Sequence, residues 1–291
     1  MKQLLILSGK GGTGKTTIAS AFIKLSDAKA YADCDVDAPN LHLTMSHKAD
    51  SKNTNYYGLP KAEINLDLCT ECGLCKENCR FEAININDVY KIDYYTCEGC
   101  GVCEYVCPTN AISLNPAVIG DLKLFKDDKL FSTAKLKTGS GNSGLLVTEV
   151  KKQLKAEDAP VDLAIIDGSP GIGCPVIASL SGVDMALIVA EPSISGISDM
   201  KRIIKTAQKL QTKILVCVNK YDINIENTEK IELFCKDNNI PFIGKIPFDS
   251  NVINAINNGY SIVDVDCNAS DAIKKIYNIA MKNLNINIDI Y

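Results

Sequence analysis

No basic excess, no long apolar run and almost no histidine mark this sequence. Its 291 residues carry 31 Lys and Arg against 35 Asp and Glu, a formal net charge of -4. A surface built to grip nucleic-acid phosphates would show the opposite balance, so no nucleic-acid partner is expected. No stretch approaches the roughly 18 consecutive apolar residues of a membrane-spanning helix. The C-terminal run NLNINIDIY (283–291) lacks the basic amphipathic pattern of a helix that lies on membranes. No membrane partner is expected either. The N-terminus passes at once into a strand-like run, Lys2 to Leu7, without a signal-peptide pattern, and a cytoplasmic location is expected. The two histidines, His42 and His47, read as loop polar residues.

What is present is regular. Continuous apolar runs at 4–8, 28–33, 162–167, 185–191 and 213–219 alternate with helical patterns at about 15–26, 198–210 and 226–237. Buried strands separated by helices imply an α/β fold with a doubly wound, mostly parallel sheet. That rhythm breaks between residues 60 and 115. There Cys69, Cys72, Cys75 and Cys79 recur 28 residues later as Cys97, Cys100, Cys103 and Cys107, and Ile64, Ala83 and Ile84 recur as Ile92, Ala111 and Ile112. Each half is too small for a core of its own, so a pair stapled by metal is expected. The predicted division is therefore a body, 1–59 and 116–291, with an inserted α+β domain at 60–115. Residues 117–143 read as two short strands and a Gly/Ser loop, TGSGNSG (138–144), leading back into a helix. The insert holds nine Asp and Glu against four Lys and Arg, a balance of -5, which leaves the body near +1. Such an acidic module suits docking to a basic patch on a redox partner; a merely solvated surface is the plainer alternative.

Residues 9–17, GKGGTGKTT, fit the phosphate-binding pattern GxxxxGK[ST] between a strand and a helix. Gly9, Lys10, Gly11, Gly12, Thr13, Gly14, Lys15, Thr16 and Thr17 are the expected nucleotide-binding residues. The glycines let backbone N–H groups turn towards phosphate oxygens, and the helix N-terminus adds positive potential. Lys15 is expected to reach the β- and γ-phosphates and the Thr16 hydroxyl to hold Mg²⁺.

The eight repeated cysteines form two copies of the C-x₂-C-x₂-C-x₃-C run of bacterial two-cluster ferredoxins. Three thiolates on a tight loop cap one face of a [4Fe-4S] cubane, and the fourth points to the other cubane. Cys69, Cys72, Cys75 and Cys107 are thus expected to hold cluster 1, and Cys97, Cys100, Cys103 and Cys79 cluster 2. Gly73 and Gly101 let the backbone pass close to inorganic sulfide. Arg80 stands where the second run has Pro108, which leaves the ligands intact. Two structural zinc sites are the alternative. Cys34, Cys217, Cys235 and Cys267 read as core or loop residues.

These motifs together resemble the MinD-superfamily P-loop ATPases, relatives of ParA, Mrp and the nitrogenase Fe protein, in the form that carries an inserted ferredoxin domain. The resemblance implies Mg-ATP and two [4Fe-4S] clusters as cofactors, and a dimer, either of identical chains or with a related ATPase. Lys10 then crosses the dimer interface to the partner's nucleotide, as an arginine finger does. DCDVDAPNL (33–41) resembles switch I, with Asp35 orienting the attacking water; Asp33 and Asp37 are either Mg²⁺ second-sphere groups or loop caps. DLAIIDGSPG (162–171) resembles the Walker B strand running into switch II, with Asp167 binding Mg²⁺ through water. Lys10, Lys15, Asp35 and Asp167 are the implied catalytic set. Asn219, Lys220 and Asp222 formally match the guanine-reading NKxD, but the relatives use the Asn for adenine. With GKIPFD (244–249), where Pro247 and Phe248 form the adenine-side loop, ATP is favoured over GTP. Cys174 follows switch II where the Fe protein has a cluster ligand, and is a speculative metal ligand here; a structural role is the alternative.

The function implied is an ATP-binding and hydrolysing iron-sulfur protein that couples nucleotide state to electron transfer. Movement of segment 33–43, which precedes the insert, is the expected coupling route. An Mrp-type cluster carrier or assembly ATPase is the alternative, and a positioning ATPase with redox-sensing clusters ranks third.

Overall fold

The computed structural model describes residues 1–45, 51–157 and 161–286; His47 and the end of the C-terminal run from residue 287 lie outside them. In chain order the described strands are β1 (Lys2–Ser8), β2 (Ala30–Asp33), β3 (Lys52–Tyr57), β4 (Lys61–Ile64), β5 (Ile84–Ile86), β6 (Tyr90–Ile92), β7 (Ile112–Asn115), β8 (Val118–Lys126), β9 (Leu130–Leu136), β10 (Leu163–Asp167), β11 (Met185–Ala190), β12 (Lys213–Asn219) and β13 (Phe242–Ile246). The helices are α1 (Lys15–Leu25), α2 (Leu74–Glu77), α3 (Val102–Tyr105), α4 (Ser143–Ala156), α5 (Cys174–Leu180), α6 (Ile194–Lys209), α7 (Ile225–Asp237), α8 (Ser250–Asn257) and α9 (Asn268–Leu284).

Nine strands form one sheet in the order β13-β12-β11-β1-β10-β2-β9-β8-β3. Pairing is parallel from β13 through to β9; β8 and β3 add an antiparallel edge. The pattern of β1 shows why the sheet is sandwiched. Leu5 and Leu7 enter a core with α4, α5, α6 and α7, while Leu4 and Ile6 enter the opposite core with α1, α8 and α9. Each of these side chains is fully buried and contributes about 1.5–3 kcal/mol by leaving water. The sheet is therefore α/β and mostly parallel, with helices on both faces.

Two boundaries and one strand, among other differences, depart from the sequence reading for reasons the structure shows. β2 begins at Ala30, because Ala28 still belongs to the turn that ends α1. α6 begins at Ile194, four residues before the periodic pattern, because the Ser193 hydroxyl caps it by accepting from the Gly196 N–H at 3.1 Å. β3 was not foreseen. Its sequence KNTNYY is polar and largely exposed, as suits a sheet edge.

Residues 61–115 form their own small unit. β4 pairs antiparallel with β7, and β5 with β6, so each pair joins one strand from each repeat. Ala62, Cys75, Ala83, Ile84, Cys97 and Ile112 make its buried centre. Gly73 (φ 82°) and Gly101 (φ 79°) start the one-turn helices α2 and α3 in the left-handed region that glycine tolerates.

Candidate functional site

β1 lies at the point where the strand order reverses, between β10 and β11. Ligands in such sheets bind beyond the carboxyl ends of the strands at that point. The loop 9–14 leaves β1 there and enters α1, whose first N–H groups have no partner within the helix. Loop carbonyls are tied from outside. Lys10 accepts from the Ser8 hydroxyl at 2.8 Å, Gly12 from Lys220 Nζ at 3.2 Å, and Thr13 from Asn219 Nδ2 at 2.7 Å. Gly14 is required twice over: its φ is 90°, and a Cβ there would stand 2.3 Å from Asn219 Nδ2. Asn219 and Lys220 thus reach the glycine loop as braces. Asp222 accepts from the Phe248 N–H at 2.8 Å, which fixes the Pro247–Phe248 segment beside the same end of the sheet.

A charged cluster lies beneath the loop. Lys15 Nζ meets Asp167 Oδ1 at 2.5 Å, and the Thr16 hydroxyl donates to Asp167 Oδ2 at 2.7 Å. Lys15 is 5% exposed, and Asp167 and Asp33 are fully buried. Burial alone would lower the Lys15 pKa; the adjoining Asp167 carboxylate outweighs it, and the net shift is upward. Asp33 accepts from the N–H of Asp35 at 3.0 Å, of Asn40 at 2.9 Å and of Leu41 at 3.0 Å. Of the two roles open to it, the structure shows the loop cap. Burial, then the Asp167 charge, push its carboxyl up to about 7, against the pull of those donors and of Lys15. Burial also raises the half-buried Asp35. Asp37 is exposed.

Lys10 folds back onto its own chain. Nζ lies 3.1 Å from Glu191 Oε2 and 3.1 Å from the Ser193 hydroxyl, just beyond β11. The sequence reading passed over both partners. The only local signal was the cap pattern at Ser193, and nothing linked Glu191 to a residue 181 positions away. Asp199 was also missed: its Cβ would stand 2.4 Å from a Cβ on Gly9.

The cysteines of the insert line two recesses. One is lined by Cys79, Cys97, Cys100 and Cys103. The other is lined by Cys69, Cys72, Cys75 and Cys107. In the second, the Ala111 N–H donates to Cys107 Sγ at 3.2 Å, and the Tyr90 hydroxyl donates to the Glu71 carbonyl at 3.2 Å. Among the described residues no three Cys, His, Asp or Glu side chains gather as a site for one metal ion. Cys174 is exposed at the start of α5 and lines neither recess. Cys34, Cys217 and Cys235 are buried. No helix among the described residues is long and apolar enough to cross a membrane.

Comparison with known proteins gives a consistent result. The family model described as the CobQ/CobB/MinD/ParA nucleotide binding domain matches residues 4–262. An uncharacterized protein of Methanocaldococcus jannaschii is 35% identical over 280 residues, 94% of this chain and 95% of that one. An iron-sulfur cluster carrier protein of the same organism is 24% identical over 292 residues, 94% of this chain and 82% of the carrier. Septum site-determining protein MinD of Pyrococcus horikoshii, solved with Mg-ADP, shares the fold with a TM-score of 0.57 at 18% identity, covering 97% of this chain and 96% of that one.

Proposed function

Since the chain belongs to the CobQ/CobB/MinD/ParA nucleotide-binding family, a MinD/ParA-type ATPase domain is its frame, and we propose that its ATPase cycle gates electron transfer through two [4Fe-4S] clusters held in an inserted ferredoxin module, residues 60–115. The observation that carries this reading is the partition of the eight cysteines. Each recess takes three thiolates from one repeat and one from the other.

That donor set fits two cubanes. All four ligands of each come from cysteine, and a backbone N–H already points at Cys107 Sγ. Thiolates spread around a recess suit a cluster that takes one thiolate per iron; a single zinc needs four donors about one point. Bound there, the clusters would supply one-electron chemistry. The protein's share is to hold them in a low-dielectric setting and to move them relative to a partner.

At the nucleotide end, the loop 9–14 and the first turn of α1 receive the phosphates. Lys15 neutralises charge on them, and Lys10 does so across a dimer interface after leaving Glu191. Ile172, Ile177 and Ile194, 43%, 45% and 84% exposed on the segments that follow β10 and β11, supply apolar surface for such a dimer. Thr16 and Asp167 would hold the Mg²⁺ that accompanies ATP. The fit is electrostatic: two buried carboxylates, Asp33 and Asp167, share the single ammonium of Lys15, and a divalent cation suits that imbalance. Asp35 orients water. Asp222, whose carboxylate holds the Phe248 N–H, is occupied with structure, which favours ATP over a guanine nucleotide.

The test is anaerobic purification with iron and sulfide analysis, then redox titration followed by EPR with and without Mg-ATP. About eight irons per chain and a nucleotide-dependent change in midpoint potential are expected. Iron-free protein, or potentials indifferent to nucleotide, would overturn the reading. A second reading, a cluster carrier, draws on the name of the 24%-identical relative and on the exposed Cys174. In that case iron moves to an apo acceptor.

A further inference from the structure

The insert touches the body through glycines. The loop 138–142 leads into α4, and two of its residues press on the insert. A Cβ on Gly139 would stand 3.0 Å from the Tyr95 ring, and one on Gly141 would stand 3.0 Å from the Glu98 carboxylate. Tyr95 and Glu98 flank Cys97, which lines one of the two recesses.

The other end of this contact reaches the nucleotide site. α4 and α5 are tied at both ends. At the N-terminal end a Cβ on Gly144 would stand 3.2 Å from the backbone and Cβ of Cys174. At the other, buried Lys151 donates to the carbonyls of Ala178 at 3.0 Å, Ser179 at 2.7 Å and Ser181 at 2.6 Å. An ammonium seated on the negative end of a helix locks that end. Between them Leu146, Val147, Val150, Val176 and Leu180 share one core. Close packing makes such a pair shift as a body rather than deform.

α5 starts where loop 168–173 ends, and that loop is fastened across the site. The Gly168 N–H donates to the Ile6 carbonyl at 2.9 Å, and the Gly171 N–H to the Ser8 carbonyl at 3.1 Å. The Ser169 hydroxyl donates to the Cys34 carbonyl. Gly171, with φ 97° and open space around it, leaves the loop free to change shape.

We infer that loop 168–173, the α4–α5 pair and the glycine loop 138–142 form the linkage that carries nucleotide state to the Tyr95–Glu98 segment of the insert. The sequence pointed to segment 33–43 as the route. That segment is capped into the body by Asp33, and apart from the stem, where Gly99 packs on Leu59 and Pro60, the close glycine contacts of the insert run to loop 138–142. The meaning of the two ends rests on the function proposed above; the linkage itself is read by exchange rather than by iron content.

Hydrogen–deuterium exchange on the anaerobically prepared full chain tests it, with and without Mg²⁺ and a non-hydrolysable ATP analogue. In the native protein, exchange at 168–173, 138–144 and 94–100 should all respond to nucleotide. In Tyr95→Ala the response at 94–100 should be lost while that at 138–144 stays. Tyr95 is 69% exposed, so its truncation spares the fold. In Lys151→Met the responses at 138–144 and 94–100 should both be lost while 168–173 still responds. A segment 94–100 that ignores nucleotide in the native chain, or responds equally in both variants, overturns the linkage. Iron-free protein in which segment 94–100 still responds to nucleotide would instead sink the redox reading and leave the linkage standing.

Discussion

Asp33 makes stability depend on pH in an uncommon direction for a carboxylate. Its pKa rises from an ordinary 3.8 to about 7 in the folded chain. The folded state therefore keeps a proton that the unfolded state releases. The contribution is full below the unfolded value and is lost as pH rises through about 7. The melting temperature of the nucleotide-free protein should fall between about pH 5 and pH 8 on this account, and Mg-ADP should restore more at the upper end. Thermal melts across that range check it; a nucleotide effect that is larger at the acid end would refute it. Lys10 gives a second prediction. Its pairing with Glu191 is partly exposed, so Glu191→Gln should cost less than about 1 kcal/mol of stability. It should also raise the dimer fraction in Mg-ATP, because Lys10 is then held to its own chain by the Ser193 hydroxyl without an ion pair. Sedimentation velocity reads the outcome, and an unchanged or smaller dimer fraction counts against it. The glycine loop, Lys15 and Thr16 were legible in sequence because their spacing is local. The Glu191 contact was not, because no motif ties it to Lys10. For Asp33 the sequence left two roles open; the three N–H donors of its loop show the cap.

At the scale of elements, the repeat announced two interlocked halves. What it did not show was that neither half builds a sheet alone: β4 of the first pairs with β7 of the second, and β5 with β6. This exchange of strands carries the fourth cysteine of each run towards the other run's recess. Cys79→Ser should therefore remove the cluster of Cys97, Cys100 and Cys103, lower iron by about half, and leave the EPR signal of the other cluster. Cys107→Ser should do the converse. Loss of the signal belonging to the mutated residue's own run would reject the interleaved assignment. β3, by contrast, was illegible because a polar edge strand has no apolar pattern to read. Its existence depends on β8 offering an open edge.

For the whole molecule, the two cores differ in size. The body buries dozens of apolar side chains on both faces of its sheet, while the core cluster of the insert has six buried residues, two of them cysteines. With clusters bound as proposed, ligation would supply much of the folding energy of the smaller unit. Stripping metal with a chelator under reducing conditions should open residues 61–115 to limited proteolysis while the body survives as intact flanking fragments. Cleavage spread evenly over the chain would contradict that division. The alternation of buried strands and helices made the parallel sheet readable, and the break in that rhythm falls where the chain leaves that sheet for two small strand pairs. Their contact through Gly139 and Gly141 was not, since glycines record only that something comes close, not what.

The stem of the insert has an evolutionary corollary. Tyr57 on β3 lies opposite Val118 on β8, and Lys61 opposite Asn115 a few residues further out. The chain thus departs and comes home at adjoining points of one hairpin. A short turn could bridge them and leave every strand of the large sheet in register. Such a unit is transplantable: one splice at this bend would add or remove it without disturbing the pairing of β3 with β8.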